Sequence, residues 1–214
     1  MFTKTHMPEL HPALLESAGG VLSQSFKGDT TSGAIKKASN NVITEEMLRE
    51  VRPDKDHALV HLIALGDHEL YGWNRNNDSY TKEANEGRHK TFETHAHVFQ
   101  EHNNKDPRKA IGSVKLAKYN PEMGRVELAI WLNKNKAPRE FEMAKEGKQL
   151  SWSMSCKIAK DVCSICGNEA PSPAHYCEHM KEGPGKWWPE HEKFAFVFNP
   201  EPTYFDISEV KRPA

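Results

Sequence analysis

The sequence has no run approaching the roughly 18 apolar residues a membrane span needs. Its N-terminus also lacks the charged, apolar, small-residue order of a signal peptide. A cytoplasmic protein is the expectation. Neither charge is in excess: 29 Lys and Arg stand against 30 Asp and Glu, and the basic residues are spread along the chain rather than gathered in a stripe. No nucleic-acid partner that depends on phosphate neutralisation is therefore expected. Cysteine is scarce and confined, with Cys156, Cys163, Cys166 and Cys177 all falling within 22 residues. In a reducing compartment such a cluster reads as metal ligands rather than disulfides. There is no internal repeat and no regular strand–helix alternation, which argues against a doubly wound parallel sheet.

What is present suits one core-bearing domain with a small appended module: 214 residues, 37% hydrophobic and 28% charged. Residues 1–56 are rich in Ser, Thr, Lys, Gly and His and read as a loosely ordered leader. Only Ile43 to Val51 shows helical spacing there, after a Thr cap. His57 to Gly66 (HALVHLIALG) is a compact apolar run ended by Gly-Asp, the pattern of a buried strand. Tyr71 to Asp78 is a long loop of turn chemistry, and about Phe92 to Glu101 reads as helical. Ala110–Tyr119 and Arg125–Leu132 form a hairpin around Asn120-Pro-Glu-Met-Gly124. Pro138 to Glu146 is a helix with Pro in its first turn and Gly147 as its stop. Strands follow at Gln149–Ala159, Phe194–Phe198 and Tyr204–Val210, while 161–189 has no hydrophobic period. The expected fold is mainly β with peripheral helices, an antiparallel barrel or sandwich over 57–214 with an inserted segment at 161–189.

Serine hydrolysis needs a hydroxyl, an imidazole to take its proton, and a group to hold the imidazole in the right tautomer. His102 lies in a polar turn directly before the Ile111-Gly112 strand start, exposed enough to act. Gly147-Lys-Gln-Leu-Ser-Trp-Ser-Met-Ser-Cys156 places Ser151, Ser153 and Ser155 on alternate positions, hence on one strand face. His95 and His97 read as surface residues.

The order of His102 before Asp106-Pro and Ile111-Gly112, then about 50 residues on the Ser153-Met-Ser-Cys stretch, then Phe205-Asp-Ile-Ser-Glu-Val-Lys-Arg-Pro-Ala214, resembles the prohead proteases of tailed bacteriophages. Those enzymes are similar in fold to the herpesvirus assemblins. The resemblance covers roughly 57–214 and implies His102 as base, Ser153 as nucleophile and Asp206 as the third member, with Glu127 in reserve. Ser155 stands where the family usually has Gly, which makes it a rival nucleophile. The substrates implied are scaffolding protein, the capsid protein and the protease itself, inside the assembling prohead in the host cytoplasm; a homo-oligomer stays open. The terminal Pro-Ala fits either self-processing or an arbitrary end.

Cys163-Ser-Ile-Cys166-Gly is a knuckle that clamps one ion between two thiolates, and Cys177-Glu-His179 supplies a second arm. The fourth ligand lies among His179, His175 and Cys156. His179 is preferred because Cys-x-His on an extended arm points both side chains one way, and a similar string recurs in zinc-bearing members of the family the chain resembles. Four protein ligands would make a closed, structural Zn2+ ribbon. Two other functions fit parts of the sequence: an HNH-like metal-dependent nuclease, from Glu101-His-Asn-Asn104 beside a Cys-x-x-Cys, and a non-catalytic zinc-ribbon virion or binding protein.

Overall fold

A computed structural model describes residues 41–212, together with the backbone of the two-residue strand Gln24–Ser25. The rest of the expected leader lies outside the described residues. Among the described residues thirteen strands follow in chain order: β1 (Gln24–Ser25), β2 (His57–Gly66), β3 (Asp78–Ser79), β4 (His97–Gln100), β5 (Gly112–Asn120), β6 (Arg125–Asn133), β7 (Trp152–Lys157), β8 (Asp161–Cys163), β9 (Glu169–Ala170), β10 (Trp187–Trp188), β11 (Lys193–Phe194), β12 (Val197–Phe198) and β13 (Thr203–Glu209). The helices are short: α1 (Glu45–Glu50), α2 (His68–Tyr71), α3 (Lys82–Arg88), α4 (Thr91–His95), α5 (Pro138–Lys145) and α6 (Glu178–Lys181). The protein is mainly β with a few helices, and none of the described helices is long and apolar enough to cross a membrane.

Seven strands, in the order β1-β2-β6-β5-β4-β13-β7, form one sheet that curls into a half-barrel. All neighbours pair antiparallel except β4 and β13, which run parallel. Its concave side holds the main core, where Val60, Leu62, Phe92, Val98, Leu128, Ile130, Phe141 and Tyr204 are buried. Phe92 stacks on Tyr204 at 4.3 Å between ring centres, which ties α4 to β13. Gly112 is required where β4, β5 and β6 meet, because a Cβ there would come within 2.0 Å of the Trp131 carbonyl oxygen. β3, β12, β8 and β9 make a second, four-stranded sheet that carries the cysteine-rich segment.

The expectation of a purely antiparallel fold fails at the β4–β13 and β3–β12 pairs, which run parallel, and two further expectations change. The stretch read as helical from Phe92 to Glu101 is helical only to His95 and then becomes β4, because Val98 belongs to the main core and the strand is hydrogen-bonded on both sides. Residues 41–56, grouped by composition with the leader, pack on the convex face of the sheet. Ile43 and Leu48 bury there against Leu59 and Ala129. The Thr44 hydroxyl accepts from the Met47 amide, capping α1 as its sequence suggests.

Candidate active site and metal centre

β7 and β13 set the active-site candidates by register. Cys156, Met154 and Trp152 of β7 face the main core, so Ser155 and Ser153 point to the convex face. Opposite them, Tyr204 and Ile207 of β13 are core residues, which simple alternation does not allow, since they are three positions apart. One extra residue resolves this: Tyr204 pairs with Cys156 and Asp206 with Ser155, leaving Phe205 as a bulge. The bulge flips the alternation and re-aims Asp206 and Ser208 to the face that carries the two serines.

His102 arrives from the other side of β13. After β4 the chain turns through Glu101 and His102, with φ of 45° and 54°, a left-handed conformation that ordinary side chains disfavour. The Glu101 amide donates to the Glu209 carbonyl at 2.9 Å, and the Asn104 amide to the His102 carbonyl at 2.8 Å, so the turn is clamped in this conformation. Two consecutive strained residues at a candidate base are an observed outlier of the kind that collects at functional sites.

The ring that this turn delivers meets the carboxylate. His102 Nδ1 lies 2.6 Å from Asp206 Oδ2, and Asp206 is fully buried while the imidazole remains 22% exposed. Three more donors converge on the same carboxylate: Asn104 Nδ2 at 2.8 Å and Ser155 Oγ at 3.0 Å on Oδ2, and Ser208 Oγ at 2.7 Å on Oδ1. Ser155 Oγ is also 3.1 Å from His102 Nδ1. An ionised carboxylate can only accept, so the proton between Nδ1 and Asp206 belongs to the imidazole and Nε2 is left as the lone-pair nitrogen.

His102 and Asp206, two of the three residues read from the motif order, are thus brought together. Ser153 is not hydrogen-bonded to His102. It sits one pair further along the same face, opposite Ser208, and makes no side-chain hydrogen bond among the described residues. The serine at the histidine is Ser155, whose hydroxyl is spent on Asp206 and on the protonated Nδ1. Glu127, held in reserve for the carboxylate role, is buried elsewhere: it accepts from the Val42 and Ile43 amides, His61, Asn120 and Arg125. Burial pushes its carboxyl up, but the hydrogen bonds from His61, Asn120, Ile43 and Arg125 outweigh that and hold it down at about 2. His95 and His97 are exposed, as their polar setting suggests. Sequence reasoning missed Asn104 and Ser208. Asn104 lay in view two residues after His102, but nothing in a linear pattern says that its turn doubles back.

Beside the second sheet, Cys163 at the end of β8, Cys166 in the turn after it, and Cys177 and His179 at the start of α6 present one ligand atom each, all within 4.8 Å of one another. His179 Nδ1 is 3.8 Å from Cys163 Sγ and 3.7 Å from Cys177 Sγ. The alternatives for the fourth ligand are engaged elsewhere: His175 Nδ1 lies 2.9 Å from Ser172 Oγ, and Cys156 Sγ 3.4 Å from the Tyr80 hydroxyl. Gly167, at φ 70°, closes the knuckle after Cys166, and the Gly167 amide donates back to the Cys163 carbonyl. Three thiols and one imidazole at this spacing can hold a metal ion.

Compared with family models, curated proteins and solved structures, the chain shows no match.

Proposed function

We propose that the chain is a serine hydrolase and, within that class, an endopeptidase of the prohead-maturation type. The observation that carries the class is the pairing of His102 Nδ1 with the buried Asp206 carboxylate at 2.6 Å beside a serine-bearing strand. The narrower reading rests on the order of motifs that resembles the prohead proteases. In this scheme Ser153 Oγ attacks a peptide carbonyl carbon while its proton passes to His102 Nε2. The tetrahedral intermediate then collapses, and Nε2 gives that proton to the departing amine. Water, deprotonated by the same nitrogen, hydrolyses the acyl-enzyme. Asp206 keeps the Nδ1 proton in place and balances the imidazolium. Ser155 contacts the wrong nitrogen to be the nucleophile, because Nδ1 has no lone pair while its proton is directed to Asp206.

For the cysteine-rich segment we propose one Zn2+ ion held by Cys163, Cys166, Cys177 and His179, structural because four protein ligands leave no position for an activated water. Capsid and scaffolding proteins are the substrates this reading implies, with the prohead as the place of action. Incubation of the full chain with a capsid or scaffold substrate, comparing wild type with Ser153→Ala, tests it. Cleavage by wild type and none by the variant is the expected result, and full cleavage by Ser153→Ala overturns the nucleophile assignment.

A further inference from the structure

We propose that Asn104 and Ser208 are positioning residues, which clamp the Asp206 carboxylate so that it holds His102 with the proton on Nδ1 and the lone pair on Nε2. The argument starts from the carboxylate. Asp206 is fully buried, and a buried carboxylate without fixed donors is free to rotate about its Cβ–Cγ bond and to pull water inward. Here each oxygen has a donor from a separate element. Ser208 Oγ holds Oδ1 from two residues along β13 itself, and Asn104 Nδ2 holds Oδ2 from the strained turn that also carries His102. Rotation would break both bonds at once. The His102 ring therefore meets an acceptor fixed in direction as well as distance, which selects one tautomer.

Asn104 has a further geometric tie. Its amide donates to the His102 carbonyl at 2.8 Å while its side chain reaches the oxygen that His102 Nδ1 touches. Backbone and side chain of one residue thus lock base and orienting group to each other. The fully buried Ser208 faces Ser153 across the β7–β13 ladder, so the clamp lies between the carboxylate and the serine assigned as nucleophile. Ser155 gives Oδ2 a third donor at 3.0 Å, longer than the other two.

The inference rests on the hydrolase reading for its kinetic consequence but not for its structural one, and two readouts keep them apart. Asn104→Asp preserves shape but replaces the donor with an acceptor aimed at Asp206, whereas Asn104→Ala removes the group. A clamp predicts the order wild type, Ala, Asp in falling kcat against a scaffold-derived substrate, with about a tenfold loss for Ala and KM little changed. A side chain that merely fills space predicts the reverse order of the two variants, and that result overturns the proposal. Independently of any substrate, 15N and 1H spectra of the imidazole in the full chain should show a downfield, slowly exchanging Nδ1 proton in wild type. It should broaden or vanish in Asn104→Asp, and in Ser208→Ala if that variant folds. An unchanged Nδ1 signal in folded Asn104→Asp also overturns the proposal. An inactive wild type with the expected change in spectra would sink the hydrolase reading alone.

Discussion

At the scale of single residues, the proposed division of labour between the two serines rests on Ser155 Oγ lying at His102 Nδ1, 3.1 Å away, which leaves Nε2 to act on Ser153 in the proposed scheme. If Nε2 is the base, Ser153→Ala removes the reacting oxygen and reduces proteolysis to background. Ser155→Ala removes the longest hydrogen bond on Asp206 and the contact with His102 Nδ1, and costs about tenfold. Single-turnover cleavage of a scaffold-derived peptide decides between them, and inverted severities would move the nucleophile to Ser155. Position 155 also shows where the sequence is silent. Serines at 151, 153 and 155 are visibly on one strand face, yet their ranking depends on a ring orientation set by a turn that opens on a left-handed Glu101, a residue type that does not advertise such a conformation. His102 and Asp206 could be picked out because motif order along the chain survives without knowledge of geometry.

Glu127 carries a second residue-scale prediction. Its carboxyl is held at about 2 by its donors, against an unfolded value of roughly 4.3. A depressed carboxyl contributes stability that is complete above the unfolded value and is lost as pH falls through the folded one. Acidification from about pH 4.3 towards 2 should therefore release the segment whose Val42 and Ile43 amides Glu127 holds. The protection of those two amides, taken against the intrinsic exchange rate at each pH, should fall over that window, before that of the core amides of β6. Glu127→Gln should lower global stability by about 3 kcal/mol, since it leaves Arg125 without its charge partner in a buried site. Equal protection factors at pH 6 and pH 3 in folded protein would contradict this role.

At the scale of elements, the bulge at Phe205 is the feature on which the site depends most. Tyr204 anchors β13 in the core, and Asp206 lies on the opposite face only because the ladder passes over Phe205 between the pairs Tyr204/Cys156 and Asp206/Ser155. Inserting one residue between Ser155 and Cys156 gives Phe205 a partner and restores simple alternation, and Tyr204 and Asp206 then share a face. Either Asp206 turns into the core or Tyr204 leaves it. The expected outcome is loss of the His102 partnership and at least a thousandfold drop in activity, comparable to removing a triad carboxylate. Phe205→Ala, which keeps the bulged backbone, should retain most of the activity, and activity of the insertion variant near wild type would show that register does not aim Asp206. The strands themselves were legible: β2 was read with its observed bounds, and β5, β6 and α5 to within two residues, because long apolar or alternating runs with Pro and Gly at their ends report local physics. The bulge was not, since it is a relation between two strands. β4 was missed because four residues give too little pattern to outweigh the helix before them.

At the scale of the whole molecule, the segment with the candidate metal ligands is wired into the strands that carry the candidate active site. Cys163 ends β8, which follows β7 after three residues, and β12, the partner of β8, leads within a few residues into β13. Its own apolar cluster is small, with Cys163, Met180 and Val197 buried and Ile165, Tyr176 and Cys177 packed around them. Burying so few side chains yields only a few kcal/mol at about 25 cal/mol per Å2, while ordering some 30 residues costs more than that. A zinc ion on four ligands contributes on the order of 10 kcal/mol in small peptides and closes the gap. The segment 161–189 should therefore bind one zinc per chain, and Cys163→Ser should lose it. Chelation should open this segment to proteolysis first, with the half-barrel cleaved later, because the main core does not include the ligands. Activity should decline on chelation in step with loosening of the segment, through displacement of β7 and β13, and not before it. Metal analysis of both proteins, combined with timed proteolysis and activity on the same samples, separates the cases. A metal-free chain whose segment stays protease-resistant would remove zinc from the account of folding. A fully folded metal-free chain that regains activity on adding zinc would move the ion from structure to catalysis.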